Sequence, residues 1–525
     1  MTASRLLRAR VELVHEAIDR LGGLEPAWSA LVAAHALRAD RPSSGAIAEA
    51  FGGPAAGVDD LLDGLTLTQI SVLYESSLAH VDHRSRKSSG QYFTPDDVAR
   101  FLAERAAGFP PGVWIDPCTG VGNLAHALAA AQPDPAAFVA ERLVLVDRDP
   151  LALRIAVALL SLEFEAERSV WPALRDRARV ADALADPLPD YDFAILNPPY
   201  VQVPRDDRFA VAEARDLYAY FLERMLRDGR GLVAITPQSY TSGRRYAPLR
   251  RLLVRECAEL DVYCFDNVPD TVFRGVKFGS QNSNRVNSTR AAILVARRHP
   301  EGTPHRHRIT PLLRWRAHER ATLLATADEF LAPLQPDADR AFPKVGADLV
   351  DLHRALAATE QTVGDLLADE PTAFHLDVPI TPRYFLTAAR RELDRGHRIR
   401  LHFVTAADRD RAAVVLNSSL AHWWWRVYEG GITVSRTTLL GIPVPLDAAP
   451  PHLLADLERS ERDNVVVKVN AGLRNENVKH PWWLLRRLNA AVAPDHVDTL
   501  MGTHANSDLP ARPDADAAVR DAAAG

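Results

Sequence analysis

The stretch Val113-Trp114-Ile115-Asp116-Pro117-Cys118-Thr119-Gly120-Val121-Gly122 joins a short apolar run to a loop that contains two glycines. Glycine lets the backbone turn sharply and approach a ligand closely. An apolar strand that ends in an acid and such a loop is typical of an α/β sheet with a ligand site at its carboxyl edge. A dinucleotide-binding fingerprint would have a third glycine where Ala125 stands, so this loop alone does not identify a cofactor.

Short apolar runs of the same kind alternate with helical patterns over residues 88–300. This alternation predicts an α/β fold with an open, largely parallel, seven-stranded Rossmann-like sheet. The predicted strands are Val113–Asp116, Leu143–Val146, Arg179–Asp182, Phe193–Leu196, Leu232–Thr236, Val262–Phe265 and Ala292–Ala296.

Polar residues close the first four predicted strands: Asp116, Asp147, Asp182 and Asn197. Asp116 can accept a hydrogen bond from an ammonium or hydroxyl group, Asp147 from ribose hydroxyls and Asp182 from an adenine amino group. Each acid alone is more often a helix N-cap. Together, at successive strand ends, they predict a nucleoside pocket.

The fourth strand runs into Asn197-Pro198-Pro199-Tyr200. The Asn197 amide and the Pro198 carbonyl are two acceptors for one exocyclic amino group, and Tyr200 provides a face for a stacked base. These acceptors can draw the nitrogen lone pair out of aromatic conjugation and toward a methyl donor. The alternative reading is a strand-ending proline turn with a buried tyrosine.

A further motif, Thr94-Pro95, directly precedes a predicted helix that begins near Asp96. Pro95 leaves the following backbone N–H groups and the Thr94 hydroxyl available for a carboxylate. A plain Thr-Pro helix cap is the alternative.

Composition indicates an ordinary globular protein, since 47% of the 525 residues are hydrophobic and 25% are charged. We see no apolar run long enough for a membrane span, no signal peptide and no cysteine pattern of a zinc site or disulfide framework. We therefore expect a cytoplasmic protein with no metal and no membrane partner. The net charge is −6, but residues 271–320 hold eleven Arg/Lys against two acids, an excess that would suit a DNA backbone or an ordinary solvated surface.

Composition shifts along the chain predict five segments. They are an N-terminal helical region (1–87), a catalytic domain (88–300), a helical connector (301–370), an α+β domain (371–503) and a disordered tail (504–525).

At the level of motifs, the chain resembles the gamma class of DNA adenine-N6 methyltransferases, especially the methyltransferase portion of type II (IIG-like) restriction–modification enzymes. The order of the motifs, with Thr94-Pro95 first and the presumed recognition region last, is the order that defines this class. The usual glycine loop reads DPACGSG, so Cys118, Thr119 and Val121 are departures that keep both glycines.

This resemblance implies a Rossmann-like S-adenosylmethionine-dependent methyltransferase fold followed by a target-recognition domain. It implies transfer of a methyl group from S-adenosyl-L-methionine to N6 of an adenine flipped out of duplex DNA. The chain would serve restriction–modification or phage defence, with a separate endonuclease or defence subunit as a further partner, and would associate with the bacterial nucleoid when bound to DNA. The implied cofactor residues are Thr94, Pro95, Asp116, Pro117, Cys118, Gly120, Gly122, Asp147 and Asp182. Asn197, Pro198, Pro199 and Tyr200 are implied as catalytic, and Tyr200 and Phe273 as stacking partners of the base. Arg274, Lys277 and Arg285, in the basic segment 271–320, are candidate DNA contacts.

Two alternatives stay open. One is methylation of a protein glutamine or an RNA amine, and the other is a DNA-binding subunit of a defence complex that needs a partner for activity. Sequence does not define the DNA target. Candidate contacts in the α+β domain are Arg383, Arg400, Asn417, Arg426, Arg436 and Arg474, while the run Trp423-Trp424-Trp425 is predicted to pack in a core rather than to stack on bases.

Overall fold

A computed structural model describes residues 3–81, 94–165, 169–273, 289–298, 304–335, 341–382, 386–431, 433–470 and 472–509. The chain forms two compact units. The first comprises Met1–Arg308, Arg320–Thr326 and Ala338–Arg340, and the second comprises Ile309–Glu319, Ala327–Asp337 and Ala341–Gly525.

The main sheet has the strand order β3-β2-β1-β4-β5-β7-β6-β8-β9. The strands are β1 (Trp114–Asp116), β2 (Leu143–Asp147), β3 (Ala178–Val180), β4 (Phe193–Leu196), β5 (Gly231–Pro237), β6 (Glu259–Phe265), β7 (Ala291–Arg297), β8 (Arg306–Leu313) and β9 (Ala332–Pro333).

Strands β1 to β5 pair in parallel, and β7 lies antiparallel between β5 and β6. The prediction of a mixed α/β fold with a largely parallel central sheet is therefore confirmed, and all seven predicted strands are present. Within the described residues the sheet has nine strands rather than seven, because β8 and β9 extend its edge from the segment 301–370, which is predicted above to be a helical connector. Strand β3 ends two residues earlier than predicted, so that Asp182 lies in the turn that follows it. The strand order reverses between β1 and β4, and the crevice at such a reversal is where α/β sheets bind ligands.

Helices of the first unit are α1 (Ala3–Leu21), α2 (Leu24–Ala39), α3 (Ser44–Ala50), α4 (Leu67–Val81), α5 (Asp96–Ala106), α6 (Asn123–Ala130), α7 (Pro135–Glu141), α8 (Pro150–Phe164), α9 (Trp171–Arg177), α10 (Leu217–Asp228), α11 (Ala247–Glu256) and α12 (Arg320–Thr326). Sequence signals explain several of these starts. Asp134 and Asp149 accept hydrogen bonds from the first turns of α7 and α8, and a proline occupies the first position of each helix.

The second unit is mainly helical, with two small antiparallel pairs, β10 (His375–Pro379) with β11 (Arg398–His402) and β12 (Val465–Asn470) with β13 (Leu473–Val478). Its helices are α13 (Val350–Ala357), α14 (Ala406–Leu416), α15 (Ser419–Tyr428), α16 (Arg436–Leu440), α17 (Pro451–Asp463), α18 (Trp482–Val492) and α19 (Val497–Gly502).

The tryptophan run 423–425 lies on α15 inside the core of the second unit, with each side chain only 5–6% exposed. The prediction of core packing is confirmed. The predicted tail begins at His504, which stacks on His422 at 4.6 Å between ring centroids, and its residues after 509 lie outside the described part of the chain.

Among the described residues, no helix is both long enough and apolar enough to cross a bilayer. Nor does that part of the chain hold a group of three or more His, Cys, Asp or Glu side chains arranged for a metal ion.

Candidate active site

A cavity at the carboxyl ends of β1, β2 and β4 gathers residues from both predicted halves of the site. Its lining includes Asp116, Pro117, Cys118, Gly120, Asp147, Asp182, Thr94, Asn197 and Pro199. Because parallel strands end at the same edge of a sheet, residues as far apart as 94 and 199 meet in one crevice.

Each of the three acids holds its own loop. One carboxylate oxygen accepts a hydrogen bond from the backbone N–H two positions further on, at 3.3 Å for Asp116 and 2.9 Å for both Asp147 and Asp182. Such turns fix the carboxylate beside the backbone. The helix-cap alternative is not observed, since Gly122 and Asp149 hold the N-cap positions of α6 and α8. The three acids instead close turns and also line the cavity.

The glycine loop follows the geometry that its sequence predicts. Gly120 and Gly122 have positive φ angles of 54° and 96°, which favour glycine. A Cβ on Gly122 would lie 3.2 Å from the Cβ of Ala156 on α8, while a Cβ on Gly120 would meet nothing within 4 Å among the described atoms. The loop therefore packs closely against α8 at Gly122 and leaves room for a ligand at Gly120.

Thr119, one of the departures from the usual loop sequence, stabilises the loop by hydrogen bonds to backbone carbonyls. Its hydroxyl donates to the Asp116 carbonyl at 2.9 Å and lies 3.2 Å from the Val146 carbonyl, and its N–H donates to the same Val146 carbonyl at 3.1 Å. Asp147 accepts the N–H of Gly120 at 2.7 Å. The glycine loop is therefore tied to the end of β2 before any ligand binds.

Burial sets the protonation of this region. It raises the pKa of Asp116 to about 8, and the neighbouring Asp147 charge adds to the rise. Burial likewise raises the pKa of Asp147 and the pKa of the Cys118 thiol. Two buried carboxyl groups beside each other favour a ligand that brings positive charge or hydroxyl donors. The carboxyl groups of Asp116 and Asp147 thus fit a nucleoside that carries a cationic side chain.

Thr94 connects the cofactor motif to the amine motif. Its carbonyl accepts bonds from the Asn123 amide at 2.6 Å and from the Thr68 hydroxyl at 3.2 Å. Its hydroxyl, predicted to receive a carboxylate, instead accepts a bond from Nδ2 of Asn197 at 2.9 Å. This link joins residues 103 positions apart and orients the Asn197 amide.

Tyr200 closes the other side of Asn197. The Tyr200 hydroxyl lies 2.7 Å from Oδ1 of Asn197 and 3.1 Å from the Ile235 carbonyl, and both oxygens are acceptors for its single proton. The acceptor that an incoming amino group would need is therefore in contact with a phenol in this structure.

Tyr200 and Phe273 are brought together as predicted, but not as a parallel pair. Their ring centroids lie 6.0 Å apart with an interplanar angle of 64°, and Phe273 is buried. A base between two faces needs two stacking intervals of about 3.4 Å each, with the rings parallel. In the described geometry the two rings therefore do not form parallel faces for a stacked group.

The loop that carries the amine motif is fastened by a short antiparallel contact. Gln202 bridges to Asp216, and the N–H of Leu217 donates to the Val201 carbonyl at 3.0 Å. Asp216 in turn accepts a bond from the Tyr246 hydroxyl at 2.9 Å, and burial raises its pKa to about 6. This contact holds the start of α10, whose Leu217 lines the cavity.

Sequence reasoning missed the contribution of α4. Ser71, Tyr74, Glu75 and Leu78 of this helix line the cavity. The Tyr74 hydroxyl donates to Asp149 at 2.6 Å, directly beyond β2. Nothing in the local sequence of α4 signals this part, because it depends on a contact between residues 75 positions apart.

The basic segment 271–320 is largely neutralised in the fold. At least seven of its eight described arginines pair with carboxylates, most of which lie outside the segment: Arg290 with Asp266, Arg297 and Arg306 with Glu259, Arg298 with Glu256, Arg308 with Asp261, Arg316 with Glu319 and Arg320 with Asp97. The linear charge excess does not persist as a set of unpaired cations at these positions. Arg274, Lys277 and Arg285 lie outside the described residues.

Two candidates for base contacts in the second unit are corrected. Asn417 is fully buried and its amide binds the backbone of Ala388 and Ala413, while Arg426 is buried and donates to the Leu312 carbonyl. Both are structural. Arg400 pairs with Asp377, Arg474 pairs with Asp394, Arg436 is exposed, and Arg383 lies outside the described residues.

Comparison with known proteins gives the following relatives. The type II methyltransferase M.PstI of Providencia stuartii is 33% identical over 88 residues, which cover 15% of this chain and 17% of that protein. Two solved structures are the type IIG restriction endonuclease BpuSI (12% identity, 96% of this chain and 78% of that chain, TM-score 0.44) and a DrdV–DNA complex (14% identity, 81% and 47%, TM-score 0.44).

A third is a class I S-adenosylmethionine-dependent methyltransferase from Listeria monocytogenes, described as putative in its source, with 14% identity over 62% of this chain and 98% of that chain and a TM-score of 0.39. The match thus spans under a fifth of the curated relative and about half of the DrdV chain. Residues 68–279, which carry every cofactor and amine motif described above, match the family model N-6 DNA Methylase, and the family resemblance inferred from those motifs is thereby confirmed.

Proposed function

We propose that this chain is a DNA methyltransferase that transfers a methyl group from S-adenosyl-L-methionine to N6 of an adenine flipped out of duplex DNA. One observation carries the proposal: Asp116, Asp147, Asp182 and Asn197 all line a single cavity. The system served would be restriction–modification or phage defence, with a separate nuclease or defence subunit as a further partner.

The residues present fit the cofactor. Asp147 would accept the ribose hydroxyls, Asp182 the adenine amino group and Asp116 the ammonium group of the methionine portion. Pro95 directly precedes α5, and the start of this helix together with Thr94 would face the carboxylate. When bound, the cofactor supplies an electrophilic methyl group. Because Gly120 has no side chain, the cofactor would lie directly against the backbone of the glycine loop at this position.

The amine half orients the acceptor nitrogen. The target atom is inaccessible in stacked DNA, so the base must leave the helix at a cost of a few kcal/mol. Oδ1 of Asn197 and the carbonyl of Pro198 would accept the two amino protons and favour positive charge as it develops on that nitrogen. Asn197 is a neutral amide and a poor base, so the proton leaves after methyl transfer.

The direct test expresses the protein in a host strain that lacks adenine methylation and then analyses the genomic DNA of that strain. Nucleoside digestion followed by mass spectrometry should detect N6-methyladenosine, and sequencing should map it to one short sequence. The strain that expresses Asn197→Ala is the control and should show none. Methylated cytosine instead, or methyl groups only in RNA or protein, would refute the proposal.

A further inference from the structure

Gln238 is a buried side chain that the proposed chemistry has not used. It directly follows β5, at the first position of a 3-10 turn over Gln238–Thr241, and is 6% exposed. Its backbone N–H donates to the Arg290 carbonyl at 3.0 Å. Within the described structure neither its amide oxygen nor its amide nitrogen has a hydrogen-bond partner. An amide buried without partners costs stability, so a group absent from the protein itself is expected to complete it.

The chain on both sides of Gln238 contacts the surroundings of Tyr200. Three residues before it, the Ile235 carbonyl lies 3.1 Å from the Tyr200 hydroxyl. The residue after it, Ser239, lies 2.8 Å from the Tyr218 hydroxyl, and the Tyr218 ring packs edge-on against Tyr200 at 6.4 Å. Strand β5 also pairs with β4, which carries Asn197 at its end. Gln238 is therefore flanked in the chain by two residues that hydrogen-bond to Tyr200 and to its neighbour Tyr218.

We infer that Gln238 is a specificity-determining residue that donates its amide N–H to a ring nitrogen of the flipped base. The inference rests on the proposed function. With the amino protons of adenine taken by Asn197 and Pro198, the edge beside the amino group still offers N1 and N7 as acceptors. A carboxamide supplies the matching donor. A base with no ring nitrogen at that place would leave the amide N–H unpaired and should react more slowly.

A thermodynamic cycle tests the contact. The site methylated by the wild-type protein is mapped first, and duplexes are then made with 1-deazaadenine or 7-deazaadenine at the target position. The wild-type kcat/KM should fall roughly 5- to 150-fold with one of the two analogues. Gln238→Met, which lacks the donor, should be slow on adenine and no slower on that analogue. Equal losses in both proteins, or no loss with either analogue, would overturn the inference.

Control measurements distinguish a contact between Gln238 and the base from a role of Gln238 in protein stability. Because the amide has no internal partner, Gln238→Met should melt no lower than the wild-type protein and bind cofactor equally well; a lower Tm would make Gln238 structural. Tyr240→Phe is the matched variant, since its hydroxyl is also buried without a partner and lies near Cys264 of β6. It should show the wild-type response to both analogues, and an altered response would contradict the assignment to Gln238.

The two levels of the account fail differently. If the wild-type protein methylates adenine but the effects of Gln238→Met and of the deaza-adenine analogues are independent, only the proposed base contact is refuted. If the wild-type protein methylates no DNA, the proposed function falls and the contact falls with it.

Discussion

The two halves of the cavity differ in how far they are formed in the absence of ligand. On the cofactor half, Asp116, Asp147 and Asp182 are already held by their own loops, and Asp147 grips the glycine loop at Gly120. On the amine half, the Tyr200 hydroxyl lies on Oδ1 of Asn197 and the aromatic pair stands edge-on. The cofactor half would therefore bind its ligand without rearrangement. In the amine half, Tyr200 would have to move away from Asn197 before an amino group could bind. Cofactor binding should therefore be insensitive to changes that abolish transfer.

The largest effect is expected for Asn197→Ala. Loss of a preorganised group at developing charge costs about 10²–10³ in kcat. Cofactor affinity, measured by calorimetry, should change less than about threefold, because the three acids assigned to the cofactor are held by their own loops and not by the Asn197 side chain. A parallel loss of cofactor affinity would contradict the separation of the two halves.

Asp147→Ala should have the opposite signature. A charge-assisted hydrogen bond contributes roughly 1.5–3 kcal/mol, so cofactor Kd should rise by about 10- to 150-fold. Asp134→Ala is the matched control, since the Asp134 carboxylate also accepts a backbone N–H but does not line the cavity. If both variants weakened cofactor binding equally, Asp147 would only stabilise its turn.

Tyr200 distinguishes stacking from hydrogen bonding. Tyr200→Phe keeps the ring and releases Asn197, whereas Tyr200→Ala removes a stacking face worth roughly 1–3 kcal/mol. The alanine variant should therefore lose far more kcat/KM on duplex DNA than the phenylalanine variant. Equal losses would show that the hydroxyl, not the ring, is what matters.

The pKa of Asp116 predicts a pH dependence. With a pKa of about 8, the carboxyl group is mainly protonated at pH 6–7, and a cationic ligand must displace that proton. Cofactor affinity should rise about tenfold per pH unit between pH 6 and 7.5, where an α-amino group remains charged. Asp116→Asn should flatten this slope, and an unchanged slope in that variant would assign the proton elsewhere.

The same shift bears on stability. The folded-state pKa lies above the ordinary value of 3.8, so the folded protein holds a proton that the unfolded chain has lost. Asp116 therefore lowers the free energy of unfolding progressively as pH rises from about 4 to about 8. Denaturant titrations of the wild-type protein and Asp116→Asn should diverge over this range, with the variant gaining relative stability at the upper end.

The smallest effect is expected for Thr94→Val. Loss of the hydroxyl that accepts from Asn197 removes one neutral hydrogen bond, worth about 0.5–1.5 kcal/mol, so kcat should fall by roughly 2- to 12-fold. Thr94→Ser should restore it. If serine does not restore the rate, the methyl group rather than the hydroxyl of Thr94 is required.

Sequence predicts the parts of this molecule that local pattern controls. Strand Phe193–Leu196 is observed with the predicted bounds, because an all-apolar run closed by a proline leaves little choice. The acids at strand ends meet because parallel topology brings those ends together. The bond between Thr94 and Asn197 and the wall supplied by Tyr74 were not predictable, because both depend on distant packing.

The local charge of a sequence window was the poorest guide to the charge that the folded protein presents. A window of residues 271–320 counts its arginines but not the acids of β6, Glu259 and Asp261, which pair with Arg297 and Arg308 across the fold. Asn417 shows the same limit for polar side chains, since its burial against Ala388 cannot be read from neighbouring residues.

The central claim is that one cavity joins a nucleoside cofactor to an adenine amino group. Its most direct test uses purified protein, unmethylated duplex DNA and S-adenosyl-L-methionine with a labelled methyl group, followed by digestion to nucleosides. The account predicts label in N6-methyladenosine with the wild-type protein and an initial rate of labelling lower by at least about 100-fold with Asn197→Ala. Label in another nucleoside, or equal labelling by the two proteins, would contradict it.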